Sequence, residues 1–322
     1  MTDLRFRIRP TGGPPVPLPT RRFSVRQTSA IWLDGMYYLY ADVVPWDNLY
    51  HPNTYDTSIH LFSSPDATVW EYRGEVIGKG QAGEWTANGI ATPGACVFGG
   101  RVYVAYSVRG NRDGSGHRFL GVSVAEDPAG PFVEVPGLRL VPDDVDYAQD
   151  SPVLLLDDPC LVACNAAGTG LGDECLRLYY RRSLNDYSDP AHRGRAIEYG
   201  IRTRATSGAD QAWGPSDLVL AARPGKVVEA AEARWLGGRL VLIVLGYSEG
   251  EMAVYLSTDS HTFAPAEPHL LESYLDIFMP AACFRLPGLI PGPDGQVRHL
   301  TTPGDIDDQG HYTQWVFPVT CL

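Results

Sequence analysis

The sequence predicts an all-β protein, a single five-bladed β-propeller spanning residues 1–322 and closed by its N-terminal strand. Three observations point that way. First, the composition combines 44% hydrophobic residues with 34 Gly, 26 Pro and no long helical period, which favours strands and turns over helices. Second, a strand, a glycine turn and a second strand recur along the chain, and Asp-Gly or Gly-Gly between apolar runs is the strongest short hairpin signal. Third, the turn glycines Gly35, Gly100, Gly172, Gly238 and Gly295 are separated by 65, 72, 66 and 57 residues, the size of a four-stranded unit.

Taken in order, LRFRIRP near the N-terminus is an alternating strand whose partner is distant in sequence. The first module reads SVRQTSAIWL, YYLYADVV, TSIHLFSS and VWEYRGEVI, with its hairpin at Asp34-Gly35. The second reads ATPGACVF, RVYVAYSV, FLGVSVAED and FVEVPG around Gly99-Gly100. DDPCLVAC, LRLYYRRS, AIEYGIRTRA and DLVLA make the third, through a longer Gly-rich loop. VVEAAEARWL, RLVLIVLG, MAVYLSTD and a weak strand near Pro268 make the fourth, around Gly237-Gly238. The fifth, MPAACFRLPGLIPG, QVRHLTT and HYTQWVFPV, supplies three strands, so the N-terminal strand is expected as its outer fourth, removing free edges.

Charge and composition exclude several classes of function. A net charge of -12 opposes phosphate backbones and anionic lipid, so nucleic-acid and membrane partners are not expected. Neither an apolar leader nor a run of about 18 apolar residues is found, which predicts a cytoplasmic protein. Six cysteines match no zinc spacing and read as reduced, mostly buried thiols. Phosphate-binding loops and serine elbows are missing as well.

In such a ring the inner strands start at one mouth, and the long polar loops 43–56, 78–89, 109–117, 142–152, 181–195 and 301–311 gather there. Long loops on a rigid scaffold are where ligands bind. Asp158 is expected to open the inner strand of module three, and Glu229 that of module four. Two carboxylates facing one cavity suit glycoside hydrolysis, in which one protonates the leaving oxygen while the other assists water or orients the acid. Asp157, by strand alternation, should point away.

At this point the chain resembles the five-bladed β-propeller glycoside hydrolases, family 43 with its relatives in families 32, 62 and 117. The likeness lies in Asp158-Pro159 at an inner strand, the second strands Tyr37–Tyr40 and Tyr179-Tyr180, Glu229 nine residues before Gly238, and module endings such as SVAEDPAGPF. The resemblance implies Glu229 as general acid, Asp158 as the carboxylate that tunes and positions it, and inverting chemistry. It also implies a base where this chain has Gln27, and an amide cannot take a proton from water. Asp56 and Asp47 are the nearest replacements by module, with Glu84 a third.

Other candidate substrate contacts are Gln27 itself, Trp85 as a stacking platform beside Glu84, the loop histidines His117 and His192, and Glu232 as the competitor of Glu229. Family 117 members vary the acid, sometimes using His, so the resemblance also leaves His51, His117 and His192 as candidates for that role. Arg118 and Arg181-Arg182 suit an anionic substituent or structural ion pairs. The acidic run Asp143, Asp144, Asp146 and Asp150 lacks EF-hand spacing and reads as a solvated loop. No cofactor is required, and a structural calcium ion in the central channel is compatible with the fold. The expected partner is a small carbohydrate acted on at a chain end. Alternatives are a non-hydrolytic sugar-binding propeller, or a transglycosylase or lyase on the same scaffold, because of Gln27.

Overall fold

A computed structural model of the chain describes residues 8–10, 16–18, 23–45, 57–110, 116–141, 153–186, 195–208, 211–221, 228–246, 251–266, 288–306 and 312–321. The architecture is all-β. Two short strands, β1 (Ile8–Pro10) and β2 (Val16–Pro17), lead into β3 (Phe23–Leu33), β4 (Met36–Pro45), β5 (Ser58–Ser64) and β6 (Glu71–Ile77), a four-stranded antiparallel sheet. Next come β7 (Ile90–Phe98), β8 (Arg101–Arg109), β9 (Arg118–Ala125) and β10 (Val133–Glu134), then β11 (Val153–Cys164), β12 (Cys175–Asp186), β13 (Arg195–Thr206) and β14 (Asp217–Ala221). These two groups join into one sheet through a single parallel bridge, Leu155 to Arg118. A further four-stranded sheet holds β15 (Val228–Leu236), β16 (Arg239–Gly246), β17 (Glu251–Ser257) and β18 (Ala264–Pro265). The last holds β19 (Gly288–Pro291), β20 (Val297–Ile306) and β21 (Tyr312–Cys321). As expected from the sequence, β1 lies on the outer side of β21, with Ile8 opposite Cys321.

The hairpins form where the sequence carries the backbone freedom they need. Asp34-Gly35, Gly99-Gly100 and Gly237-Gly238 all have positive φ at both central positions, the mirror-image turn that matches strand twist. Outer strands are shorter than the sequence suggests. FVEVPG yields the two residues of β10, bounded by Pro131 and Pro136, which have no N–H for a ladder. The weak strand expected near Pro268 is β18 at Ala264–Pro265, and most of the MPAACFRLPG inner strand falls outside the described residues.

Burial falls from the inside of each sheet outward. All seven residues of β5 are buried, whereas β6 alternates between exposed and half-buried up to the buried Ile77 at its end. The cores are the contacts between successive sheets: Ile31, Tyr40 and Leu61 pack on Ala95, Val104 and Tyr106. Tyr103 and Leu120 pack on Leu161 and Leu178; Cys160 and Tyr179 pack on Ala233 and Leu242. Val25, Leu39 and Phe62 meet Ile290 and Val316 from the two ends of the chain.

One anchoring device repeats. The Tyr40 hydroxyl donates to the Pro128 carbonyl of the next module's outer turn at 2.8 Å, its ring edge-on to Phe132. Tyr179 donates to the Ser260 carbonyl at 2.7 Å and meets Phe263 in the same geometry. Those turns are held by an aspartate accepting backbone N–H groups: Asp127 from Ala129, and Asp259 from His261 and Thr262. Asp66 does the same for Thr68 and Val69, and these bonds lower its carboxyl to about 2.

Along the axis, Arg234 ties the sheets together. Its guanidinium donates to Ser29 Oγ at 3.0 Å and to the carbonyls of Ala30 and Ala95, each at 3.1 Å, and pairs with Glu232 at 3.0 Å. Glu232 also accepts the Leu289 backbone N–H, and burial pushes its carboxyl up against the pull of Arg234. Thr28 and Thr301 hydroxyls meet at 2.6 Å, joining β3 to β20. No described helix is long and apolar enough to cross a membrane.

Removing one partner of a buried ion pair strands the other, at a cost of about 3–5 kcal/mol. Arg234→Met is therefore expected to destabilise the fold by that amount in urea unfolding, with Glu232→Gln in the same chain restoring part of the loss. An effect of Arg234→Met within about 0.5 kcal/mol, the range of an ordinary surface substitution, would show that Arg234 does not tie the sheets together.

Candidate functional site

The inner strands share one irregularity. In β3, Arg26 and Gln27 together stand opposite Asp42; in β7, Thr92 and Pro93 stand opposite Tyr106; in β11, Asp158 and Pro159 stand opposite Tyr180. In β15 the register slips between Glu229 and Ala231. Such bulges bend a strand and re-aim a side chain. Pro93 and Pro159 fit there because the bulged residue gives up its ladder bond.

Thr92 and Asp158 both adopt φ of 51°, a left-handed conformation that is costly for a β-branched residue and persists where surroundings enforce it. Close approach of two strands enforces it here. A Cβ on Gly94 would sit 2.2 Å from the Pro159 carbonyl oxygen, so β7 reaches β11 only with glycine at that place.

Two buried carboxylates hold the bulges in shape. Asp42, 1% exposed, accepts the Arg26 guanidinium and the Gln27 backbone N–H, each at 2.8 Å, and the Thr92 N–H at 3.4 Å. Asp157, also 1% exposed, accepts Arg181 at 2.8 Å and the N–H of Asp158 at 3.1 Å, together with Arg118 and the Ser107 hydroxyl. Burial would push the Asp157 carboxyl up, but Arg118 and Arg181, helped by Ser107 and Arg109, hold it well below the usual carboxylate range.

Asp158, 8% exposed, accepts the Gln27 side-chain amide at 3.4 Å and pairs with Arg181 Nε at 3.5 Å. Residues 131 positions apart thus meet across the hub.

Two expectations are corrected. β11 begins at Val153, so Asp158 lies inside the strand at its bulge and does not open it. Asp157 does not point away either: the bulge breaks the two-residue alternation, and both carboxylates reach Arg181. Glu229 is the second residue of β15, opposite Leu245 and next to the bulge.

The other candidates are placed as follows. His117 is buried and accepts the Leu154 backbone N–H on Nδ1 at 3.1 Å, joining β9's approach to β11. Glu84 is exposed and accepts the Gln81 N–H within its own turn. Trp85 donates to Glu134 at 3.0 Å, with the Arg139 guanidinium 4.6 Å from its ring centre, so one face expected to stack on sugar is already covered. Glu232 is committed to Arg234 in the axis. Asp47, His51, Asp56, Asp143, Asp144, Asp146, Asp150 and His192 lie outside the described residues. Among the described residues no group of three or more His, Cys, Asp or Glu side chains could hold a metal, so no calcium ligand set is found there.

Sequence reasoning missed Asp42, Thr92, Ser107 and the inward turn of Asp157. A signal existed for two of them: Thr92-Pro93 parallels Asp158-Pro159, and Asp42 is an acid inside the apolar run YYLYADVV.

No protein-family model matches the sequence, and no curated protein matches it. Solved structures do match. A family 117 glycoside hydrolase from the marine bacterium Zobellia galactanivorans superposes with a TM-score of 0.67 at 15% identity, over 98% of this chain and 91% of that one. The chain has the fold of the propeller glycoside hydrolases. A GH43_1 enzyme from Xanthomonas citri complexed with xylose gives a TM-score of 0.63 at 17% identity, over 94% and 89% of the two chains. An endo-arabinase from Bacteroides thetaiotaomicron gives 0.60 at 15%, over 95% and 96%.

Because the folded Asp157 holds its proton less tightly than an unfolded aspartate at about 3.9, it contributes stability above that pH and loses it as pH falls through the folded value. Asp157→Asn should unfold more easily at pH 7, by about 3–5 kcal/mol, and lose less further stability than the parent between about pH 4 and 3. Parallel slopes in urea titrations at the two pH values would count against the network.

Proposed function

We propose that the protein is a glycoside hydrolase acting on a chain end of a short oligosaccharide or glycoside, in a pocket at the mouth of one five-bladed propeller formed by residues 1–322. The observation that carries this reading is the contact of Gln27 with Asp158 across the hub, at the equivalent bulges of β3 and β11, with the Glu229 backbone at the bulge of β15. Ring closure is supported by the Thr28–Thr301 contact, by the Leu289 N–H on Glu232, and by β1 lying on β21. A carbohydrate ligand is supported by the xylose held by the Xanthomonas citri enzyme of the same fold.

In this reading Glu229 is the general acid that protonates the leaving oxygen. Asp158, fixed by Gln27 and Arg181, is the negative charge that raises the acid's proton affinity and orients it. Gln27 has no basic atom, so we assign water activation to Asp56, which directly precedes buried Thr57 and stands two residues ahead of β5 in sequence, with Asp47 as its competitor.

Turnover of aryl glycosides and neutral oligosaccharides tests the proposal. Glu229→Gln should lower kcat by about 10²–10⁴ on substrates with poor leaving groups, and much less on aryl glycosides whose leaving group departs without a proton. Asp56→Asn should lower kcat on both. Sugar binding with no turnover by the parent protein would overturn hydrolysis in favour of a sugar-binding propeller.

A further inference from the structure

We propose that Cys164 and Cys175 are a reversible disulfide site, oxidised by a peroxide and reopened by a thiol. The two residues are Cα partners: Cys164 ends β11, Cys175 begins β12, and they stand directly opposite across the antiparallel pair. Residues so placed send their side chains to the same face, with Cβ atoms about 4.5–5.5 Å apart. A disulfide needs about 3.5–4.5 Å between Cβ atoms, so a small inward adjustment at the end of a hairpin suffices. Both residues share one apolar cluster, Cys164 fully buried and Cys175 half-buried against it.

Their chemistry differs in a useful way. Burial pushes both thiols up, and the Arg177 guanidinium on the same strand opposes that shift at each of them. Arg177 therefore offers a cation to whichever sulfur carries the charge during exchange. Cys175 has the solvent access that Cys164 lacks, so peroxide meets it first. The Cys175 thiolate attacks the peroxide, taking one oxygen to become a sulfenic acid while hydroxide leaves. The Cys164 thiolate then attacks that sulfur, the S–S bond forms and a second hydroxide leaves. In sum two thiols and one hydrogen peroxide give one disulfide and two waters; a dithiol reverses the step by taking up the two electrons' worth of oxidation.

Among the described residues the pairing is specific, and Cys321 stands opposite Ile8. Cys160 stands opposite Tyr179 and bonds to the Ala233 backbone; Cys96 stands opposite Tyr103. Neither has a cysteine partner in the register. The loop bounded by the pair packs on the neighbouring sheet, since a Cβ on Gly168 would lie 2.6 Å from Ser260 Oγ, so the crosslink would clamp that docking point. The Asp158 bulge lies six residues up the same strand.

The full-length protein is treated with hydrogen peroxide, its remaining thiols are alkylated in denaturant, and the chain is cleaved after Glu174 and Arg177. The expected result is that the Cys175–Arg177 fragment stays attached to the piece containing Cys164 until dithiothreitol is added. Cys164→Ser and Cys175→Ser should each abolish the link, while Cys160→Ser keeps it. Crosslinking should quicken as pH rises, because the thiolate is the reacting form. Alkylation of both residues after peroxide, a link to any other cysteine, or conversion of Cys175 to a sulfinic acid with Cys164 unchanged would each overturn the proposal.

Discussion

The hub depends on the doubled residues of its inner strands and on the buried carboxylates that keep them doubled. Asp42 accepts the backbone N–H groups of Gln27 and Thr92, one from each of two neighbouring sheets, so a single side chain stabilises two bulges. Asp157 accepts the N–H of the residue after it and so fixes the left-handed turn at Asp158. Without those acceptors, Thr92 and Asp158 would gain by relaxing to ordinary strand. A slip of one residue would then move every following side chain to the opposite face. Gln27 and Asp158 meet because that slip is blocked.

Such an arrangement does not follow from stability alone. Burying charged groups costs several kcal/mol per ion before pairing returns anything, and apolar replacements of similar volume are often as stable. Two tiers of ion pairs are nonetheless buried along the axis: Arg234 with Glu232, and Arg26, Arg118 and Arg181 with Asp42, Asp157 and Asp158. The first tier gathers one hydroxyl and two carbonyls from two neighbouring sheets around one guanidinium of a third. The second fixes the orientation of carboxylates. Both use charge to specify geometry, and the apolar contacts between sheets supply the cohesion.

How much of this was legible follows from the range of the forces involved. Hairpins at Asp34-Gly35, Gly99-Gly100 and Gly237-Gly238 were legible because positive φ is a local demand that glycine, and to a lesser degree aspartate, meets. The pairing of β1 with β21 was legible from a missing fourth strand. The position of Asp158 within its strand was not, since the bulge is imposed by Arg181, Ser107 and the approach of Gly94, residues scattered over the second and third modules. The same holds for Asp157: strand alternation places it correctly in a regular ladder, and the ladder is irregular at that residue. Trp85 reads as a sugar platform in isolation, and its ties to Glu134 and Arg139 depend on a distant outer strand.

On the proposed function, Gln27 narrows which carboxylate can activate water. Its amide points a donor at Asp158, so that carboxylate is engaged on one oxygen by Gln27 and on the other by Arg181. Asp42 is buried and paired with Arg26, and Asp157, almost wholly removed from solvent and paired with Arg118 and Arg181, is a carboxylate that orders its neighbours and has little tendency to accept a further proton. Glu232 is spoken for by Arg234. In the proposed reaction the inner strands would supply a fixed negative charge and a hydrogen-bonding floor, and proton transfer from water would fall to Asp56 or Asp47, outside those strands. On that proposal the buried carboxylates hold geometry, and Asp56 and Asp47 are the residues on which water activation rests.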